Sequence, residues 1–143
     1  MLIRIRILIL GSVLLPIAAF HCGCGPNSDG SKLRELEKIQ TEIPVFPLLI
    51  ETKTDTVSKG RIAVLSKIYK CDAPYDDVKK YYIDQLSERG WQYVGEREIR
   101  DWGTDLGGST FSFRNGEYRL SITYAGSNAN YGWDYAIETV WGR

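Results

Sequence analysis

The stretch TFSFRNGEYRLSITY, residues 110–124, decides the fold. Its two halves alternate large apolar with small or polar residues, and between them stands Asn115-Gly116, a dipeptide suited to a tight hairpin turn. A two-residue turn there predicts the pairs Arg114 with Glu117, Phe113 with Tyr118, Ser112 with Arg119 and Phe111 with Leu120. Phe111, Phe113, Tyr118, Leu120, Ile122 and Tyr124 then share one face, and Thr110, Ser112, Arg119, Ser121 and Thr123 the other. A sheet built on this hairpin has a core face and a wet face, so the first needs an apolar cover.

Residues 74–89, PYDDVKKYYIDQLSER, supply that cover. Val78, Tyr82 and Leu86 recur at i, i+4 and i+8 with Tyr75 and Tyr81 beside them, while Lys79, Lys80, Asp84 and Glu88 fall outside, which predicts an amphipathic helix. Pro74 suits the first turn, and Asp76 and Asp77 complement the positive end of the helix dipole. Gly90 can adopt the left-handed conformation that closes a helix, so Trp91 is expected to fold back on Leu86 as a core clamp.

The rest of the chain is read around these two elements. Ser31–Gln40, with Leu33, Leu36 and Ile39, predicts a short amphipathic helix that ends before Pro44 and Pro47. Leu48, Leu49, Ile50 and Thr52 read as a first strand, Lys53–Gly60 as a polar hairpin loop, and Arg61–Lys70 as a strand covered on both faces. Downstream of the main helix, Trp91–Ile99 reads as a strand, Asp101–Gly108 as a loose glycine-containing loop, Ala125–Gly132 as a polar loop and Trp133–Trp141 as the last strand. The order β-β-α-β-β-β-β, with the short helix ahead of it, predicts a two-layer α+β domain with an antiparallel sheet. Three regions follow: 1–24 a signal, 25–43 a tether and short helix, and 44–143 one domain.

Met1–Phe20 reads as a secretory signal: Arg4 and Arg6, then an apolar run from Ile7 to Phe20, and no acid. The run is short for a membrane span, and extending it back to Leu2 brings both arginines into the first turns. His21-Cys22-Gly23-Cys24-Gly25 follows. A cysteine directly after such a run resembles a bacterial lipoprotein signal, which implies acylation of Cys22 or Cys24 and a membrane reached through that lipid. Simple cleavage and retention as an uncleaved anchor are the alternatives. The expected location is accordingly the bacterial cell envelope, held at a membrane, or else the secreted fraction.

Charge and histidine narrow the function. The whole chain has 18 Lys and Arg against 18 Asp and Glu, and without Arg4 and Arg6 it becomes weakly acidic. No nucleic-acid partner is expected from that balance, because such affinity rests on many cationic phosphate contacts. The single histidine is His21, beside the signal, so the domain lacks the imidazole of Ser-His-Asp, Cys-His and His-bearing zinc sites. Carboxylate, Lys, Tyr or unassisted Cys chemistry remains. His21, Cys22 and Cys24 lack a second ligand pair at a distance, and no metal or cofactor is expected. Cys71 reads either as a small half-buried apolar residue at a strand end or as a disulfide partner of Cys24.

Glu96, Glu98, Asp101 and Asp105 lack the dense ligand alternation of a calcium loop, and Glu96 and Glu98 alternate with Arg97 and Arg100 as on a solvated strand. Gly103, Gly107 and Gly108 do not open a helix after a strand, so they make no phosphate cradle. The candidate binding residues are aromatic: Trp102 in one predicted loop, and Tyr131, Trp133 and Tyr135 flanking another. Tyr and Trp there suit contact with an envelope protein, a peptide or a glycan.

Pro44-Val45-Phe46-Pro47, the strand ending in Tyr69, and the helix with Tyr81-Tyr82, Leu86, Gly90 and Trp91 resemble a loose group of small bacterial exported proteins and lipoproteins. The resemblance covers about Pro44 to Tyr124, and it implies a fold and a compartment but no reaction. The expected function is therefore a non-enzymatic envelope protein acting as an interaction or binding module. The alternative is an exported enzyme that acts on a wall component through carboxylate or Tyr chemistry.

Overall fold

The computed structural model describes residues 28–101, 104–127 and 131–142. In chain order the elements are α1 (Ser28–Glu42), β1 (Ile50–Lys59), β2 (Ile62–Lys70), α2 (Tyr75–Ser87), β3 (Gln92–Asp101), β4 (Thr104–Asn115), β5 (Tyr118–Tyr124) and β6 (Tyr135–Trp141). The six strands form one sheet in the order β1-β2-β6-β5-β4-β3, every neighbouring pair antiparallel. This is the α+β domain expected from the alternating hairpin and the amphipathic helix.

Both helices lie on the same face. Ala63, Leu65 and Tyr69 alternate along β2; the first two pack with Leu36 of α1, and Tyr69 joins Val78, Tyr82 and Leu86 of α2. Phe111, Phe113, Leu120, Ile122, Tyr135 and Ile137 complete the larger cluster from β4, β5 and β6. Thus α1 is part of the helical layer rather than of a free tether, and at 15 residues it runs beyond the predicted Ser31–Gln40. Leu36, Gln40 and Ile43 face the sheet at helical spacing.

The end of α2 forms the predicted stop. Gly90 has φ 79°, the Trp91 amide donates to the Leu86 carbonyl at 3.0 Å and the Gly90 amide to Ser87 at 3.1 Å. These two bonds make a Schellman cap, and Trp91 is buried in the core with Leu86.

The hairpin differs in register but not in facing. The observed pairs are Asn115 with Tyr118, Arg114 with Arg119, Phe113 with Leu120, Ser112 with Ser121 and Phe111 with Ile122. The turn therefore lies at Gly116-Glu117, with φ 58° at Gly116, the first central position that a type II′ turn gives to glycine. Each strand is displaced by one residue relative to the predicted pairing, and the combined shift of two leaves every side chain on its expected face.

Three other expectations need correction. Lys53–Gly60 is not a loop: residues 50–59 form the edge strand β1, exposed along its whole length. Asp101–Gly108 is likewise mostly strand, with Arg100 opposite Asp105 and Asp101 opposite Thr104. Strand β2 is covered on one side only; Val64, Ser66 and Ile68 are half-buried and Ile62 is exposed. The terminal bounds shift too, since β1 begins at Ile50 rather than Leu48 and β6 at Tyr135 rather than Trp133.

Candidate functional site

Of the aromatic candidates, the structure brings Tyr131 and Trp133 together. Their rings stack at 5.1 Å between centroids with 6° between planes, Tyr131 exposed and Trp133 half-buried. The loop behind them is fixed at its base: the Ala125 amide donates to the Asp134 carbonyl at 2.9 Å, and the Asp134 amide to Tyr69 at 3.0 Å. The Asp134 carboxylate accepts the Cys71 amide at 3.0 Å and lies 3.6 Å from the Lys70 ammonium. A rigid base thus presents a flat aromatic pair, which limits the entropy lost on contact.

Tyr135 does not belong to that surface. It is fully buried on the core side of β6, its ring 5.1 Å from that of Tyr124, and its hydroxyl donates to the Ala73 carbonyl at 3.4 Å. Burial holds its phenol well above the ordinary value. The two-residue step from Trp133 to Tyr135 enters the regular strand, and the core claims the second aromatic. Trp102, Cys22 and Cys24 lie outside the described residues. Cys71 is half-buried and has no disulfide partner among the described residues.

The sequence reading missed Glu96. A bulge between Tyr93 and Gly95 shifts the strand so that Glu96 pairs with Phe111 and faces the helices. One of its oxygens accepts the Tyr75 hydroxyl at 2.5 Å and the Ser109 hydroxyl at 2.5 Å, and the other accepts the Lys79 ammonium. With Lys79 first and the two hydroxyls next, its carboxyl is held down at about 2. Such a carboxylate is a clamp: ionised across the physiological range, with its acceptor sites taken by its own neighbours. General base chemistry would need a value nearer the operating pH.

A second network ties α1 to the β4–β5 turn. The Lys32 ammonium donates to Glu35 at 2.8 Å and Glu117 at 2.9 Å, and lies 5.1 Å from the centre of the Trp141 ring. Trp141 Nε1 donates to the other Glu117 oxygen at 2.7 Å, and the Tyr118 hydroxyl donates to Glu35. These bonds raise the ammonium's value and lower both carboxyls, Lys32 being the first cause for each acid.

Beside this network lies a pocket of about 480 Å³ between the helices and the hairpin turn. Ile39, Ile43, Trp91 and Tyr118 give it apolar lining, with Glu42, Arg89 and Glu117 as charged groups. Its size and mixed lining fit a small ligand or an anchoring side chain. Among the described residues, no three His, Cys, Asp or Glu side chains are grouped to hold a metal ion, and no helix is long and apolar enough to cross a membrane. No protein-family model, curated protein or solved structure matches the chain.

Proposed function

We propose that the chain is an exported protein of the bacterial cell envelope, a lipoprotein held at a membrane by Cys22 or Cys24, whose α+β domain acts as a binding module. The Tyr131–Trp133 stack carries the binding part of this reading: two parallel rings, the outer one exposed, displayed from a loop fixed at both ends. The partner is an envelope protein or a glycan, both of which offer flat or apolar groups to aromatic faces. The signal-like run Met1–Phe20 and the two cysteines after it support the location. Two measurements test the proposal. Mass spectrometry of the mature N-terminus is expected to find an acylated Cys22 or Cys24; a plain cleaved or intact terminus refutes the lipoprotein. Crosslinking in intact cells is expected to yield a defined adduct that Tyr131→Ser abolishes without moving the melting temperature; an adduct unchanged by that substitution refutes the site.

A second reading, a wall-directed enzyme using carboxylates, has one observation behind it: Glu42 and Glu117 line the same pocket. Against it, Glu117 is held below its ordinary value by Lys32 and Trp141, whereas a proton donor to a glycosidic oxygen needs a raised one. Release of wall fragments by the wild type and not by Glu42→Gln would establish it.

A further inference from the structure

Charge is divided unequally between the two sides of the sheet. Residues 28–142 hold all 18 acids but only 15 of the 18 bases, Arg4, Arg6 and Arg143 lying outside. By register, the face turned away from the helices nevertheless carries Lys53, Lys59, Lys70, Arg97, Arg114 and Arg119 against Asp55, Asp101 and Glu138. That face is net basic by three charges, and the remainder of the domain is net acidic by six.

The arginines concentrate at one end. Arg114 and Arg119 stand directly opposite each other on β4 and β5, an arrangement that costs a sheet stability. Arg61, in the β1–β2 turn, shares with Arg114 an open depression of about 710 Å³. No carboxylate of a described residue pairs with any of the three. Glu117, the acid in that depression, is already taken by Lys32 and Trp141. Two apolar side chains of the same face, Val57 and Ile62, are 55% and 43% exposed toward this end.

The chain also enters the domain here, because Lys32 in the early part of α1 reaches Glu117, Tyr118 and Trp141. Ser28 follows Cys24 by four residues and Cys22 by six, a separation that spans at most about 14 to 22 Å when fully extended. A lipid on either cysteine would therefore keep the arginine end close to the headgroups.

We infer that this end of the uncovered face docks on an anionic phospholipid surface, with Arg61, Arg114 and Arg119 binding lipid phosphates and Val57 and Ile62 at the acyl boundary. Guanidinium forks match phosphate oxygens, and apolar side chains beside them gain from entering the interface. The short tether, taken from the proposed lipoprotein reading, favours a bilayer over a soluble acidic partner. The acidic helical side is then repelled from the same surface, which fixes one orientation.

The test uses the full chain with two kinds of vesicle, phosphatidylcholine alone and phosphatidylcholine with phosphatidylglycerol. Arginine modification read by mass spectrometry is expected to slow at Arg61, Arg114 and Arg119 on the anionic vesicles only, while Arg100 at the far end of β3 reacts equally on both. The triple variant R61Q/R114Q/R119Q is expected to lose the preference for anionic vesicles, on the order of a hundredfold in affinity for three near-surface arginines. Its melting temperature serves as the folding control. Equal modification on both vesicles, or a preference that survives in the triple variant, overturns the inference. So does protection by soluble polyphosphate without protection by vesicles. Flotation with neutral vesicles reports the N-terminal lipid alone, so failure of the tether and failure of the docking face give different results.

Discussion

Replacing Glu96 by Gln removes the charge that three donors share and so loosens α2 from the β3–β4 edge. Tyr75 and Lys79 lie on α2, Ser109 on β4 and Glu96 on β3, so a single carboxylate joins three elements. Its folded value of about 2, against 4.5 for the free group, corresponds to a ceiling of about 3 kcal/mol. The carboxylate and the Lys79 ammonium remain 29% and 26% exposed, and solvent screening reduces that to about 1–2 kcal/mol. Because the folded value is depressed, this stability is fully present above about pH 4.5 and is lost as the pH falls from 4.5 towards 2. Glu96→Gln is thus expected to lower Tm by about 4–8 °C at pH 7 for a domain of this size, and by much less at pH 2.5. Thermal unfolding of both proteins across that range, followed by circular dichroism, measures the gap. High salt should narrow it only in part, since the two hydroxyl bonds are not ion pairs. A gap of the same size at pH 7 and pH 2.5 would refute the clamp and leave Glu96 a surface residue.

Other substitutions probe the remaining joints. Thr139 is fully buried and donates to Gln40 at 2.6 Å, so Thr139→Val strands the Gln40 carbonyl and should cost about 1–3 kcal/mol in denaturant titrations; adding Gln40→Leu should recover part of it, and strict additivity would refute the coupling. Gly90→Ala should cost about 1–2 kcal/mol from backbone strain alone, because an added Cβ there meets no atom within 4 Å; an unchanged midpoint would deny the cap its role. Lys53→Thr with Lys59→Thr leaves β1 a flatter and less charged edge, and light scattering should show faster self-association than for wild type.

The parts legible in the sequence are those whose side chains sort by burial. Val78, Tyr82 and Leu86 on α2, and the alternation from Phe111 to Tyr124, report the core directly because each pattern has one buried face. Strand β1 was illegible for the converse reason. An edge strand exposed on both faces has no apolar period, and Thr-Lys-Thr-Asp-Thr reads as a polar loop although β-branched Thr suits an extended chain. The displaced turn has another cause: Asn115-Gly116 advertises a type I′ turn, but placing Gly116 first lets Phe111 oppose Ile122 and Phe113 oppose Leu120 across the core. Packing of large side chains over many pairs outweighs the preference of one dipeptide.

Glu96 shows how one residue of backbone redirects chemistry. Counting by twos from Tyr93 sends Gly95 and Arg97 to the helix side and leaves Glu96 and Glu98 in solvent, the arrangement that alternation with Arg97 and Arg100 suggests. The bulge between Tyr93 and Gly95 inserts the extra residue and reverses the count, so that Gly95 opposes Ser112 and Glu96 opposes Phe111. The same reversal puts Arg97 opposite Thr110 on the uncovered face, adding a cation there as it delivers an acid to the helices. A single irregularity therefore both builds the Glu96 clamp and sharpens the charge division across the sheet. Because Val94 is the extra residue, deleting it should leave Tyr93, Gly95 and Glu96 in plain alternation opposite Phe113, Ser112 and Phe111. Glu96 then keeps Lys79, and the pH-dependent part of the stability survives the deletion; its loss on thermal unfolding would refute this reading of the bulge.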